Sequence, residues 1–486
     1  MTERSRTLLV LPFVLAWLVL GAVEKPTVLL GLVVVGMGLL GGAVLMVVRS
    51  NRPEPTTPPV RLPSGQRWIA VSWFLMLAVS EQRFTGGRSP LDANSGSISP
   101  EIALELLVYG VTTLLLFRHW QPARGTASTP RDVRPLFGWV FLAILSTSWS
   151  VVSLFSFVRG CEMLVLPLLA IHTARVIRMT DDGGRTVLRA VMRVFVIGLA
   201  FAVTTGWFTP WPYDGLRFAW HGTHPLVVSN LLGIGILTLA IAGREVLGFH
   251  RLTRMALLGY FLVTLVFTQP RTDYIALAFA TITALWAAGR YRVEYRAFGL
   301  AYAGAGLAAF IVVVNTAIFN IGSHGTGGYE TASTLDGRTT LWTLSLQQLH
   351  SVKDWLVGFG YGAPRVKIYN LVSWSGSAHS SPMELLLGIG MIGLILYLAY
   401  LGFVGYGLGS AKWSRHLDPR VQVLAITLFT FVAVHGVVSS ELVVPSSSCT
   451  MLAFLASFVL ARPSREPQHV DGAAVGAANP VLLSPW

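Results

Sequence analysis

Long apolar stretches separated by short polar segments run through almost the whole chain. A helix needs roughly 15–22 apolar residues to cross the hydrocarbon core of a membrane. Such runs predict fourteen candidate helices, of which several are short enough to be half-spans, so we expect twelve to fourteen spans. This pattern predicts an all-α fold, a polytopic transmembrane helical bundle. The candidate helices cover 7–23, 27–48, 68–80, 102–117, 136–147, 153–172, 194–208, 225–242, 255–268, 274–289, 298–319, 385–408, 423–438 and 447–461.

Composition restricts the classes of protein to which this chain can belong. Of its 486 residues, 53% are apolar and 12% are charged, and that charged share is about half the share in an average soluble domain. This balance excludes a disordered chain, a basic nucleic-acid-binding domain and a water-soluble enzyme. The two cysteines, Cys161 and Cys449, both lie in apolar stretches, which disfavours a disulfide framework or a cysteine-based zinc site.

The distribution of basic residues predicts the orientation of the protein in the membrane. The chain has 36 Lys and Arg residues against 23 Asp and Glu residues, a net charge of +13. With the N-terminus inside, 26 of the 36 basic residues fall in inner segments, as the positive-inside rule describes for cytoplasmic loops. Arg4 and Arg6 precede the first apolar run, and a second run follows closely, which favours an uncleaved signal anchor. We therefore expect both termini in the cytoplasm.

The candidate spans divide the chain into four parts. Residues 1–319 are the N-terminal part of the transmembrane bundle, 385–461 its C-terminal helices, and 462–486 a tail that we expect to be disordered and cytoplasmic. Residues 320–384 form one long loop, which the orientation places on the extracytoplasmic side. Within it, 338–356 has apolar residues at helical spacing and predicts an amphipathic helix on the membrane surface or the bundle. A structured outer loop indicates work at the outer membrane–water boundary.

Two arginines in predicted outer turns are candidates for anion binding, because charge at membrane depth is costly and usually functional. Arg271 follows a helix-breaking proline between two apolar runs, and it either pairs with Asp273 at a tight turn or binds an anion. Arg217 lies in a loop that leads to the start of the next span, where a helix N-terminus also favours anions; a solvated arginine is the alternative. His221 and His224 in that loop have a spacing that suits a metal ion, but no third or fourth ligand is evident.

For two other arginines, a structural ion pair is the alternative to anion binding. Arg338 follows Asp336 at the start of the predicted amphipathic helix, where it forms an ion pair with that carboxylate or faces an anion. Arg159 lies inside an apolar run with Glu162 three residues later, and an ion pair within the bundle is the simpler interpretation.

His379 is the candidate acid–base residue. It comes just before a predicted span, and an imidazole near its ordinary pKa can take up a proton at neutral pH. Glu384 follows five residues later near the start of the helix, where a carboxylate suits the helix dipole. A structural cap or hydrogen-bonded histidine is the alternative.

Five short motifs occur in one order on the predicted outer face between about 200 and 400. They are GLRFAWHGTHP, TQPRTDYIALAF, DGRTTLW, DWLVGFGYG and AHSSPMELLLGIGMIGL. Together they resemble the O-antigen ligase and polymerase family of bacterial membrane glycosyltransferases. The chain departs from that family's pattern at Ser380, where an asparagine is usual, and at Pro382, which comes before Glu384.

The resemblance implies a fold like that of GT-C-type glycosyltransferases and a specific activity. It implies transfer of a glycan from undecaprenyl pyrophosphate to an acceptor hydroxyl, outside the bacterial inner membrane, without a metal ion or another cofactor. Three arginines would bind the pyrophosphate, Arg217, Arg271 and Arg338, because guanidinium groups suit phosphate oxygens. His379 would be the general base, which gives inversion at the sugar carbon.

Four further residues are candidates for a supporting role, namely His224, Glu384, Asp336 and Arg159. The resemblance also implies a group of partners. The partners would be the lipid-linked glycan, the bilayer and an acceptor that is a glycan, a lipid or a protein, with no nucleic acid. The motifs do not separate ligase from polymerase.

Two alternatives from other functional classes stay open at the level of sequence. A flippase for lipid-linked sugars would also need arginines facing a pyrophosphate, and it would often contain internal repeats, of which we find no clear trace. A non-catalytic assembly scaffold would use the outer loop to bind partner proteins.

Overall fold

The part of the chain that the structure describes is mostly helical. The computed structural model describes residues 66–80, 100–119, 133–180, 182, 184–208, 218–219, 223–268, 271–290, 338–372, 376–409, 417–445 and 447–461. These residues contain no strand, which confirms the predicted all-α fold. The helices are α1 Arg67–Ser80, α2 Pro100–His119, α3 Arg134–Leu145, α4 Ser153–Met179, α5 Arg185–Trp207, α6 Pro225–Ile241, α7 Gly243–Leu247, α8 Arg251–Thr268, α9 Arg271–Arg290, α10 Arg338–Leu346, α11 Val352–Val357, α12 Ala363–Val372, α13 Ser381–Gly409, α14 Pro419–Gly436 and α15 Ser448–Leu460.

The helices form a polytopic membrane bundle. Among the described residues, seven helices are long and apolar enough to cross a membrane, namely α2, α4, α5, α8, α9, α13 and α14, and three shorter apolar helices are α1, α6 and α15. Every candidate span that falls on described residues is a helix. The candidates 7–23, 27–48 and 298–319 and the tail 462–486 lie outside the described residues, so the total of twelve to fourteen spans stays a prediction.

Basic side chains gather at one end of the bundle, which we call the basic end. There Arg178 in α4 donates to the carbonyl oxygen of Ala461 after α15, at 2.6 Å. Arg185, the first residue of α5, donates to Asp418 before α14, also at 2.6 Å. The starts of α6, α9 and α13 and the end of α14 lie at the opposite end, which we call the site end.

Three helices that matter for the site, α6, α9 and α14, pack against one another. A Cβ atom on Gly233 of α6 would overlap with the ring of Phe431 of α14, so this glycine allows the close approach of the two helices. Most of α6 is buried on all sides, as expected for a helix that is apolar around its whole circumference. Packing therefore brings the polar residues of these three helices together, although they are far apart in sequence.

Helix α13 is broken near its start. Ile389 and Gly390 have non-helical backbone angles, and φ of Gly390 is 70°. A short helical piece, 381–388, therefore precedes the long helix. The candidate span over 385–408 is confirmed as helical and long enough to cross a membrane, but it contains a kink, because Gly390 adopts a left-handed conformation that hydropathy does not indicate.

A glycine loop, defined as Gly358–Gly362, is hydrogen-bonded to this break. The backbone N–H groups of Phe359 and Gly360 donate to the carbonyl oxygens of Leu387 and Gly388, at 2.8 and 2.7 Å. Those carbonyl groups lie where the helical hydrogen-bond ladder is interrupted, so the loop satisfies acceptors that the break exposes.

The single amphipathic helix predicted over 338–356 is two helices. Helix α10 ends at Leu346, and α11 begins at Val352. Between them Ser351 and Asp354 form a capping box, because the Ser351 side chain accepts from the Asp354 N–H at 3.1 Å and the Asp354 carboxylate accepts from the Ser351 N–H at 3.0 Å. This box starts a new helix and ends the continuity that the apolar spacing suggested.

Candidate functional site

His379 lies in a strained backbone conformation in the segment that leads into α13. Its φ is 49°, and no other non-glycine residue among those described has a positive φ. Its backbone N–H donates to Ser377 Oγ at 3.0 Å, and the carbonyl oxygen of Ala378 accepts from Trp342 Nε1 at 2.7 Å. Such a conformation costs about 1–3 kcal/mol and is typical of functional sites. The contacts around it hold the His379 backbone in place.

Glu384 fixes this segment from the first turn of α13. One of its carboxylate oxygens, Oε1, accepts from Ser377 Oγ at 2.8 Å and from the Ala378 N–H at 2.7 Å. Ser377 Oγ also lies 2.9 Å from Ser440 Oγ. Glu384 therefore supports the backbone immediately before His379.

A second contact joins the His379 segment to the chain that follows α14. Both the backbone N–H and the hydroxyl group of Ser381 donate to the carbonyl oxygen of Ser439, at 2.9 and 2.8 Å. Ser380, which stands where the family pattern has an asparagine, is buried. Pro382 occupies the first turn of α13, where the missing N–H of a proline has no helical partner to lose.

Arg338 is the cation that acts on His379. It is the first residue of α10 and is only 8% exposed. Burial, together with the positive charge of Arg338, lowers the pKa of His379 from its ordinary value of 6.5 to about 4. The imidazole is therefore neutral at physiological pH and able to accept a proton.

A buried ion pair lies at the same end of the bundle. Asp273, in the first turn of α9, has one carboxylate oxygen 2.9 Å from His435 Nε2 near the end of α14. Its other carboxylate oxygen accepts a hydrogen bond from the hydroxyl group of Ser229 in α6. Asp273, Ser229 and His435 are all almost fully buried. Arg338 also acts electrostatically on His435, as it does on His379.

Two predicted residues have their backbone at the site end. Arg271 is the first residue of α9, two positions before Asp273. His224 is the N-cap of α6, where its Nδ1 accepts from the Leu226 N–H at 3.2 Å, which is a structural role. The other predicted anion-binding arginine, Arg217, and the supporting residue Asp336 lie outside the described residues.

Arg159 belongs to a different cluster. The expected pair with Glu162 is confirmed at 2.7 Å, and a second carboxylate, Glu105 of α2, lies 2.9 Å from the same guanidinium nitrogen. All three side chains are buried. The guanidinium group also lies 5.4 Å from the ring centroid of Phe155, next to Gly362 of the glycine loop. The structure therefore places Arg159 behind the glycine loop, as part of an ion-pair network.

His435 is the site-end residue that the sequence motifs do not reveal. It lies inside the predicted span 423–438. Because charge at membrane depth is costly, an ionisable residue within a span is a candidate functional residue. Its partner Asp273 is visible in the sequence only as a neighbour of Arg271. Over the described residues, no three His, Cys, Asp or Glu side chains come close enough together to hold a metal ion.

Comparison with known families tests the resemblance drawn from the motifs. The family model Wzy_C, described as O-Antigen ligase, matches residues 256–398. The resemblance to the O-antigen ligase family is therefore confirmed over these residues. This O-antigen ligase region runs from α8 into α13 and contains Arg271, Asp273, Arg338 and His379. No curated protein matches the chain.

Proposed function

We propose that this protein is an inverting, metal-independent glycosyltransferase that moves a glycan from undecaprenyl pyrophosphate to an acceptor hydroxyl. The family match supports the general activity, which is enzymatic glycan transfer of the O-antigen ligase or polymerase type in surface polysaccharide biosynthesis. The proposed mechanism is supported by the arrangement around His379. Its imidazole is neutral, its backbone conformation is fixed, and the buried cation Arg338 acts on it electrostatically.

The arrangement suits a single displacement at the anomeric carbon. His379 takes the proton of the acceptor hydroxyl while the acceptor oxygen forms its bond to that carbon. The bond from the carbon to the pyrophosphate oxygen breaks, and its electron pair stays on the leaving phosphate, which remains attached to the lipid. Attack from the face opposite the leaving group inverts the configuration. A positioned general base contributes about 10²–10⁴ in rate.

The leaving group needs positive charge close to the reacting centre. A lipid pyrophosphate carries several negative charges, and guanidinium groups bind phosphate oxygens through two parallel hydrogen bonds. Arg338 would supply one such group next to His379, and Arg271, at the start of α9, a second. Arg217 would be the third. In this mechanism the arginines perform the charge neutralisation that other transferases obtain from a divalent ion.

The side of the membrane follows from the charge asymmetry of the bundle. The basic end has the arginines of α4 and α5, and the positive-inside rule supports a cytoplasmic position for it in the bacterial inner membrane. The site end would then face the extracytoplasmic side, with both termini in the cytoplasm.

A reconstituted reaction tests the proposal. The purified full chain is mixed with undecaprenyl-pyrophosphate oligosaccharide, a candidate acceptor and EDTA, and the product is separated and its anomeric configuration determined by NMR. We expect the wild type to form a product of inverted configuration, and His379→Ala to form none. The matched control is His350→Ala, since His350 is an exposed histidine of the same outer segment.

Three outcomes would contradict the proposal. Activity that EDTA abolishes would overturn metal independence, and retention of configuration would overturn the single displacement. Movement of labelled donor across vesicles without chemical change would favour a flippase.

A further inference from the structure

The peptide unit between Ala378 and His379 is held at both of its edges. Its carbonyl oxygen, on Ala378, accepts from Trp342 Nε1 at 2.7 Å, and its N–H group, on His379, donates to Ser377 Oγ at 3.0 Å. A peptide unit is planar, so two hydrogen bonds on its opposite edges fix its orientation. The unit that leads directly into the Cα atom of His379 therefore does not rotate freely.

This fixed peptide unit matters because the backbone of His379 is strained. The angle φ, which is 49° here, describes rotation about the bond that joins this unit to the Cα atom. The chain beyond His379 is held as well, since the Ser381 N–H donates to the carbonyl oxygen of Ser439 at 2.9 Å. With both sides held, φ does not relax to the negative values that side chains favour. Such strain and a single hydrogen bond are similar in free energy, so loss of one bond can release the strain.

The helix that supplies the Trp342 bond is also held by apolar packing. Trp342 lies in α10, and Leu341 of that helix is buried in a small apolar core that also contains Ala378 and Leu386. This core packs α10 against the start of α13, so we expect the helix to keep its place when the indole N–H is removed. Arg338, the first residue of α10, would then stay where it is. The effect of losing the bond would fall on the His379 segment.

We propose that Trp342 is a positioning residue for His379: its indole N–H holds the Ala378–His379 peptide unit and so keeps the imidazole in the orientation that takes the acceptor proton. This inference rests on the proposed function, in which His379 is the general base. Trp342 acts through the backbone and needs no contact with the reacting atoms. A displacement of a catalytic group by about 1 Å can lower a rate by about 10², so a positioning role is visible in kcat.

Transfer kinetics of two phenylalanine variants test the inference. Trp342→Phe removes the donor and keeps an aromatic ring, and it should lower kcat about tenfold with the KM for the donor within about threefold of the wild type. The matched control is Trp149→Phe, because Trp149 is also a half-buried indole that donates to a backbone carbonyl oxygen, that of Val357, at 3.0 Å. Both variants lose one such bond and some thermal stability. The control should keep kcat within about twofold of the wild type, since its bond does not hold the backbone of His379.

A second replacement of Trp342 isolates the N–H group. Benzothienylalanine has the shape of tryptophan with a sulfur atom in place of the N–H, so it preserves the packing and removes the hydrogen bond. It should reproduce the loss of kcat seen in Trp342→Phe. Hydrogen exchange of the backbone amides of 377–380, followed by mass spectrometry, should become faster in both proteins and stay unchanged in Trp149→Phe.

The outcomes separate this inference from the proposed function. If the wild type transfers no glycan, or His379→Ala transfers it at the wild-type rate, the proposed function is wrong. If His379 is required and Trp342→Phe loses no more kcat than Trp149→Phe, the bond is only structural and the positioning role is overturned. Should Trp342→Phe fail to fold, the benzothienylalanine protein decides: a kcat lowered about tenfold supports the inference, and an unchanged kcat contradicts it.

Discussion

The backbone N–H of Gly360 donates to the carbonyl oxygen of Gly388 at 2.7 Å. This bond joins the glycine loop to the break in α13, only a few residues after the segment that contains His379. Arg159 lies near Gly362 of the same loop, so the glycine loop lies between the Arg159 ion-pair network and the break in α13.

Gly360→Ala should destabilise the protein by about 1–3 kcal/mol. φ of Gly360 is 107°, which disfavours any side chain, and an added Cβ would overlap with Ser150. The measurement is the thermal unfolding temperature in detergent. Gly402→Ala is the control, because that helical glycine of α13 has open space around its Cβ position and gains helix propensity on substitution. Equal unfolding temperatures for the two variants would contradict the tight packing of the loop.

The rate of glycan transfer should fall on the acid side as pH passes through about 4. The pKa of His379 is lowered to about 4 by burial and by Arg338, so the neutral base exists above that pH and is lost below it. Arg338→Gln removes a positive neighbour and should therefore move the acid limb to higher pH, towards 6.5, while it also slows the reaction. The measurement is the pH profile of kcat/KM for both proteins, because that ratio reports the pKa values of the free enzyme. An acid limb that stays at the same pH in Arg338→Gln would show that Arg338 does not act on this base.

Glu384→Ala should lower kcat about tenfold, with the KM for the donor nearly unchanged. The Glu384 carboxylate holds Ser377 and the Ala378 N–H and thereby positions His379. Glu384→Gln should recover to within about threefold of the wild type, because the amide oxygen can accept the same two hydrogen bonds. Failure of the glutamine variant would mean that the charge itself is needed.

Arg159→Met should destabilise the bundle by about 3–5 kcal/mol, because it leaves Glu105 and Glu162 without their buried cation. Substitution of both glutamates as well, Glu105→Gln/Arg159→Met/Glu162→Gln, should restore most of that loss. Thermal unfolding and the transfer rate are measured together. A stable Arg159→Met protein with no transfer activity would instead assign Arg159 to the donor site.

The sequence predicts this fold well wherever hydropathy decides the structure. The length of an apolar run indicates whether a segment can cross the lipid, and each candidate span on described residues is a helix. Local ion pairs such as Arg159–Glu162 are also predictable, because three residues along a helix bring two side chains to one face.

The remaining features depend on tertiary contacts or on a local signal that the apolar spacing masks. Gly390 breaks α13 because the glycine loop pairs with the helix there, and nothing in the hydropathy indicates that partner. The capping box at Ser351 is visible in the sequence, yet the apolar residues on either side suggested one continuous helix. The contact between Asp273 and His435 joins residues that are far apart in the chain.

The bond between Gly360 and Gly388 closes a loop of chain that includes α12 and His379. The entropy cost of closing a flexible loop grows only with the logarithm of its length, so each doubling of length adds about 0.6 kcal/mol. Insertions after the end of α12 would therefore add little to the free energy of folding, while the bonds of Gly360 to Gly388 and of Glu384 to Ala378 stay in place. The chain between α12 and His379 can therefore change in length during evolution without a rearrangement of the backbone around His379.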